Sequence, residues 1–114
     1  MLDLVTTSQF RKDLKRIRKR GYDLSKLDDV VNTLLHEKPL NEKRHDHALA
    51  GNYIKFRECH IEPDWLLIYA VDKGNLILTA SRTGTHSDLF DGYYSRLFLC
   101  NRSLILIKLI SQKL

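Results

Sequence analysis

The chain contains no run of 18 apolar residues, so no segment is long enough to span a bilayer as a helix. Cysteine is scarce: only Cys59 and Cys100 occur, with no Cys-x-x-Cys pair, which argues against a structural zinc site. The start, Met1-Leu2-Asp3-Leu4-Val5, lacks the charged lead and long apolar core of a secretion signal. The expectation is therefore a cytoplasmic protein with reduced thiols and no membrane partner. There is no internal repeat and no low-complexity tract, which excludes a solenoid. The 114 residues suit a single domain, and 43% hydrophobic residues suffice for a modest core.

Acidic residues are lacking in one place in particular. Residues 1–20 hold seven basic side chains (Arg11, Lys12, Lys15, Arg16, Arg18, Lys19, Arg20) against Asp3 and Asp13. The remaining residues balance at twelve against twelve, so this one segment carries the whole net charge of +5. Such a stripe is an electrostatic footprint for phosphate or for an acidic protein, or else simply a solvated helix face.

Residues 1–6 alternate weakly and read as a short strand. Thr6 and Gln9 fit a capping box opening a first helix, with Phe10, Leu14 and Ile17 on its apolar stripe and Gly21 as its C-terminal cap. A second helix carries Leu24, Leu27, Val31 and Leu34 on one face, widened by Val30 and Leu35. Asp23 or Ser25 caps its start, and Lys38-Pro39 ends it. Two helices so closely joined predict an antiparallel hairpin. After a polar stretch at 40–52, three strands are predicted at 53–60, 65–71 and 76–82, with Pro63-Asp64 in the first hairpin connection. The dense apolar run from Trp65 to Val71 reads as a central strand covered on both faces. The expected class is α+β, in the order β-α-α-β-β-β: a helical hairpin packed on a small, mainly antiparallel sheet. Residues 91–114, with Leu104-Ile105-Leu106-Ile107, form an atypical apolar extension. It reads equally as an edge strand, a covering helix or a dimerising arm.

Histidines and acids gather in three blocks: His45-Asp46-His47-Ala48-Leu49-Ala50-Gly51, then Arg57-Glu58-Cys59-His60-Ile61-Glu62-Pro63-Asp64-Trp65, then Arg82-Thr83-Gly84-Thr85-His86-Ser87-Asp88-Leu89-Phe90. Imidazole exchanges protons near neutral pH better than any other side chain. Several imidazoles and a carboxylate at strand ends in a basic domain point to metal-free proton transfer on a phosphate backbone. A metal site from His45, His47, His60 and Asp64 ranks lowest, because no metal-specific spacing supports it.

These blocks, in this order and spacing, resemble the RelE-superfamily toxins of bacterial type II toxin–antitoxin modules, and most of all the YafQ subfamily of messenger-RNA endonucleases. The resemblance covers roughly residues 1–90, taken as the toxin domain. It implies a RelE-like fold and cleavage of mRNA in the ribosomal A site through the 2′-hydroxyl, with no cofactor and no metal. It assigns catalysis to His47, His60, Asp64 and His86, with His86 as general acid and the base left open among the other three. Arg57, Glu58, Arg82 and Phe90 are the implied substrate contacts. The alternative for the two arginines is a salt bridge to Glu58, Glu62 or Asp88, and for Phe90 packing on the sheet edge. The basic helix, through Arg11, Lys12, Lys15, Arg16 and Lys19, would hold ribosomal RNA. A cognate antitoxin of ribbon-helix-helix type is implied, with operator DNA reached only through the toxin–antitoxin complex. The competing reading is a non-catalytic ParE-like toxin that binds DNA gyrase, or an inactive relative. Trp65, Tyr69 and Cys59 are assigned to the core, and His36 and His45 to no role.

Overall fold

The computed structural model describes residues 1–49 and 56–89. The elements are β1 (Asp3–Thr6), α1 (Ser8–Lys19), α2 (Leu24–Leu35), a 3-10 turn (Glu42–Arg44), β2 (His47–Ala48), β3 (Phe56–Glu62), β4 (Trp65–Asp72), β5 (Ile77–Gly84) and α3 (His86–Leu89). They form one five-stranded sheet in the order β1-β5-β4-β3-β2, with β1 parallel to β5 and the other pairs antiparallel. The expected α+β order holds, with β2 and α3 added to it. Among the described residues no helix is long and apolar enough to cross a membrane. The start of the first predicted strand (53–55), Phe90, Cys100 and the apolar extension lie outside the described residues.

Local chemistry explains where the helices begin and end. Thr7, not Thr6, caps α1: its hydroxyl accepts from the Phe10 N–H at 3.0 Å. The sequence pattern misplaces the cap by one residue because Thr6 and Thr7 are chemically alike, and Thr6 is instead paired in β1 with Ala80. Asp23 caps α2, accepting from the Ser25 N–H. Gly21 follows α1 at φ +79°, a conformation that glycine alone enters without penalty.

One face of the sheet carries the core. Leu2, Phe10, Ile17, Leu27, Val30 and Leu34 pack against Cys59, Ile61, Trp65, Leu67, Tyr69, Leu78 and Ala80. Trp65 and Tyr69 are core residues as expected, and Cys59 points inward, opposite His60. Burial drives the Cys59 thiol pKa up to about 12, which leaves it inert. Each fully buried side chain of this size contributes roughly 1.5–3 kcal/mol. The Tyr22 and Trp65 rings pack edge-to-face with their centroids 5.1 Å apart.

Two irregularities position the site. In β5, Ile68 pairs with Arg82 and Tyr69 with Ala80, so Ser81 is one residue too many and forms a bulge. Beyond it, Thr83 accepts from the Trp65 indole and donates to the Leu66 carbonyl. The Asp13 carboxylate, fully buried on α1, receives the Arg82 guanidinium at 2.7 and 3.2 Å and the Thr83 N–H at 3.2 Å. Arg82 is itself only 6% exposed. Its expected role as a phosphate clamp is corrected accordingly. Its ion pair is with Asp13, 69 residues away in the chain, and not with Glu58, Glu62 or Asp88.

Asp13→Ala leaves a buried guanidinium without its carboxylate and is expected to cost about 3–5 kcal/mol in urea unfolding. Adding Arg82→Met should recover most of that loss. A single substitution costing under about 1 kcal/mol would refute the anchoring role.

Candidate active site

The 3-10 turn delivers the first imidazoles. It exits through His45, a non-glycine residue at φ 48° and ψ 42°. The next residue, Asp46, is pinned to the sheet: Tyr69 donates to it at 2.6 Å, and Arg57 binds it twice at 3.2 Å. Burial and the Asp46 charge raise the Tyr69 pKa, so Tyr69 stays a donor. Arg57 is therefore also in a salt bridge, with Asp46 rather than the acids expected of it, though its side chain is still 37% exposed. The sequence places Asp46 inside the first histidine block, and the sheet supplies its partners from β3 and β4.

β2 then aligns His47 opposite Glu58 in register. The Glu58 side chain is fully buried, with His47 Nε2 at 3.7 Å and His60 Nε2 at 3.8 Å from the same oxygen. Each ring holds a backbone carbonyl at its other nitrogen: His47 Nδ1 meets the His45 carbonyl at 2.7 Å, and His60 Nδ1 meets the Pro63 carbonyl at 3.3 Å. A carbonyl only accepts, so Nδ1 carries the hydrogen in both rings. Proton exchange therefore falls to the two Nε2 atoms facing Glu58. Glu58, given as a substrate contact, thus sits as a buried acid between two histidines.

Asp64 lies four residues from His60, but its hydrogen bonds go elsewhere. Asp64 instead accepts from His86 twice, from the backbone N–H at 3.0 Å and from ring Nδ1 at 2.5 Å. Burial pushes its pKa up, but these two bonds outweigh it and hold the carboxyl below the usual range. The carboxylate fixes the His86 tautomer, and proton exchange there falls to Nε2. His60 and His86 ring centres lie 6.1 Å apart, and His45 stands edge-on to His60 at 5.5 Å. Burial lowers the His60 pKa, helped by the neighbouring His45, His86 and His47, so His60 favours the neutral ring.

The loop that carries His86 is itself clamped. Asp88 accepts from Arg20 at 2.6 and 2.8 Å and from the Thr85 N–H at 3.0 Å, with Arg16 3.7 Å away. The Arg20 guanidinium leads in lowering the Asp88 pKa to about 2. Gly84, at φ +153°, leaves room for this: a Cβ there would meet the Asp88 side chain at 3.0 Å. Two cations of the basic stripe thus hold the site loop, and Arg11 is engaged by Thr6. Lys12, Lys15, Arg18 and Lys19 remain exposed. Phe90 lies outside the described residues. Among those residues, no three of His, Cys, Asp and Glu are arranged to hold a metal ion.

The sequence matches a family model described as the bacterial toxin of type II toxin–antitoxin system, YafQ, over residues 2–91. It is 40% identical over 90 residues to the mRNA interferase toxin YafQ of Escherichia coli strain K12, covering 77% of this chain and 95% of that protein. Among solved structures, a metal-bound toxin from Helicobacter pylori is 47% identical with a TM-score of 0.74, covering 79% of this chain and all of the other. The toxin in an E. coli DinJ-YafQ complex is 37% identical with a TM-score of 0.72, covering 79% of this chain and 99% of the other.

Two titrations check this geometry. The His60 ring should titrate below its ordinary value of 6.5 by NMR. Its folded form binds the proton less readily than the unfolded chain does. Its contribution to stability is therefore whole above pH 6.5 and is lost as the pH falls through the lower folded value. Asp88 follows the same sign: its stabilisation is whole above 3.8 and is lost as the pH falls through about 2. Asp88→Asn should cost about 1–2 kcal/mol at neutral pH, allowing for solvent around Arg20, and should blunt acid unfolding in that range. A His60 midpoint above 6.5 would overturn the assignment of its neutral form.

Proposed function

The chain belongs to the YafQ family of toxins from bacterial type II toxin–antitoxin systems and is an mRNA interferase, an endoribonuclease; from that premise we propose that it cuts mRNA on the ribosome by metal-independent general acid–base transfer. The observation that carries this reading is the pair of differently prepared imidazoles, His60 and His86, 6.1 Å apart. Burial keeps His60 neutral, as a base must be, while a carboxylate orients His86.

In the proposed reaction His60 Nε2 removes the 2′-hydroxyl proton, and the 2′-oxygen attacks phosphorus. His86 Nε2 protonates the departing 5′-oxygen as the P–O5′ bond breaks. The products are a 2′,3′-cyclic phosphate and a 5′-hydroxyl. His47 and Glu58 stand behind His60 as a proton reservoir, and Asp64 steadies His86 as it changes charge. Lys12, Lys15 and Lys19 supply the ribosomal RNA contacts, since Arg11 and Arg16 already serve the fold. The partner that silences the toxin is a cognate antitoxin of ribbon-helix-helix type, and the site of action is the cytoplasm. The similar E. coli toxin in complex with DinJ supports a partner of this kind.

Purified protein should cleave mRNA on programmed ribosomes and leave free mRNA intact. EDTA should have no effect on cleavage once Mg²⁺ is controlled to keep ribosomes assembled. His86→Ala should lower cleavage by roughly 10²-fold or more while preserving the fold and antitoxin binding. Neutralising Lys12, Lys15 and Lys19 together should weaken ribosome binding and lower its salt slope by about one unit per lost phosphate contact. Undiminished cleavage by folded His86→Ala would falsify its role as the acid.

A further inference from the structure

His60 faces two ways. Besides the histidine cluster it lines a cavity of about 510 Å³, walled by Lys26 of α2, by Lys43, Arg44 and His45 of the 3-10 turn and its exit, and by Ile61, Glu62 and Pro63 of the β3–β4 hairpin. A space of that size accepts a nucleotide. Its wall carries three cations against one carboxylate. Lys26 is tied to Glu62, which leaves Lys43 and Arg44 as the uncompensated charge. Arg44 donates one N–H to the Ile61 carbonyl, which plants the guanidinium along the wall while four other donors remain for a ligand. Lys43 stands exposed in the same wall.

His45 completes the arrangement. Its left-handed backbone costs a non-glycine residue about 1–2 kcal/mol. The surrounding bonds hold it there: its N–H closes the 3-10 turn on Glu42, and its carbonyl accepts from His47. The outcome is an exposed imidazole standing edge-on to His60 and lining the cavity. Strain held next to a cluster of reactive groups points to function.

We propose that this cavity is a nucleotide subsite of the RNA-cleaving centre, taking the residue next to the scissile bond. Lys43 and Arg44 bind its phosphate, and His45 stacks on its base. The inference rests on the ribonuclease reading above, because RNA held at His60 must leave the cluster along some charged path. This path is separate from α1, which packs over β5, whereas the cavity lies where α2 meets β3. Aromatic stacking and a backbone contact are the usual means of holding single-stranded RNA.

The binding test uses the full chain carrying His86→Ala, so that it can be produced without cleavage. Amide resonances are followed while adding a nucleoside 3′-monophosphate, a nucleoside 5′-monophosphate or inorganic phosphate. Shifts at Lys43, Arg44, His45 and Ile61 are expected with a nucleotide, weaker with inorganic phosphate, and lost in Lys43→Glu. The preferred isomer shows whether the subsite lies upstream or downstream of the cut. In cleavage on programmed ribosomes, Lys43→Ala should raise KM about 10-fold or more, the worth of one charge-assisted bond, with kcat within about twofold. His45→Phe keeps the ring contact with His60 and should raise KM less than His45→Ala does. No shifts around the cavity, or KM unchanged in both Lys43→Ala and His45→Ala, would overturn the subsite. If His86→Ala abolishes cleavage in that case, the ribonuclease reading stands alone. Shifts at the cavity with a wild-type protein that cannot cleave would instead leave a nucleotide-binding cavity and overturn its assignment to a cleaving centre.

Discussion

A carboxylate with no access to water anchors the molecule. Asp13 cannot be buried charged without partners, and it accepts from the Arg82 side chain, the Thr83 N–H and the Gln9 amide. That requirement joins α1 to the one strand that runs into the His86 loop. It acts where β5 runs on beyond β1, which pairs only as far as Ala80. The bulge at Ser81 re-aims the strand there, and the buried ion pair defines where it goes next. A removed partner costs far more than the pair gains over an apolar substitute, so its main effect is to enforce one arrangement.

A second carboxylate repeats the device at lower cost. Asp88 joins the turn after β5 to the end of α1 through Arg20 and Arg16, with Gly84 clearing the space between. The basic helix is thus divided by residue. All of its cations lie at the surface, but Arg11, Arg16 and Arg20 are also tied to acceptors of the fold. Net charge alone does not distinguish the two kinds, because only a structure shows which guanidinium already holds a carboxylate.

Proton chemistry follows from this scaffold. Three imidazoles are tied through Nδ1 to an acceptor: a carbonyl for His47 and His60, a carboxylate for His86. In each the tautomer is set by the fold, and Nε2 is the nitrogen left to exchange a proton. The environments then diverge, one ring desolvated and one paired with an exposed carboxylate, so two histidines of one cluster suit opposite halves of an acid–base reaction.

Hydrophobic period, turn residues and caps determined the α+β order, the core role of Trp65, Tyr69 and Cys59, and the helix end at Gly21, because each is a local property read within a few residues. The three histidine blocks were legible as a candidate site for the same reason: residue types and short spacings are written in the chain. Partnership was not. Asp64 lies four residues from His60, yet it serves His86, 22 residues away, and Asp13 meets Arg82 across 69 residues. His45 looked idle until the turn at Glu42–Arg44 brought its ring to His60. Which acid holds which base is decided by sheet register, a bulge and a left-handed residue. These are properties of the packed chain, and no local pattern of side chains encodes them.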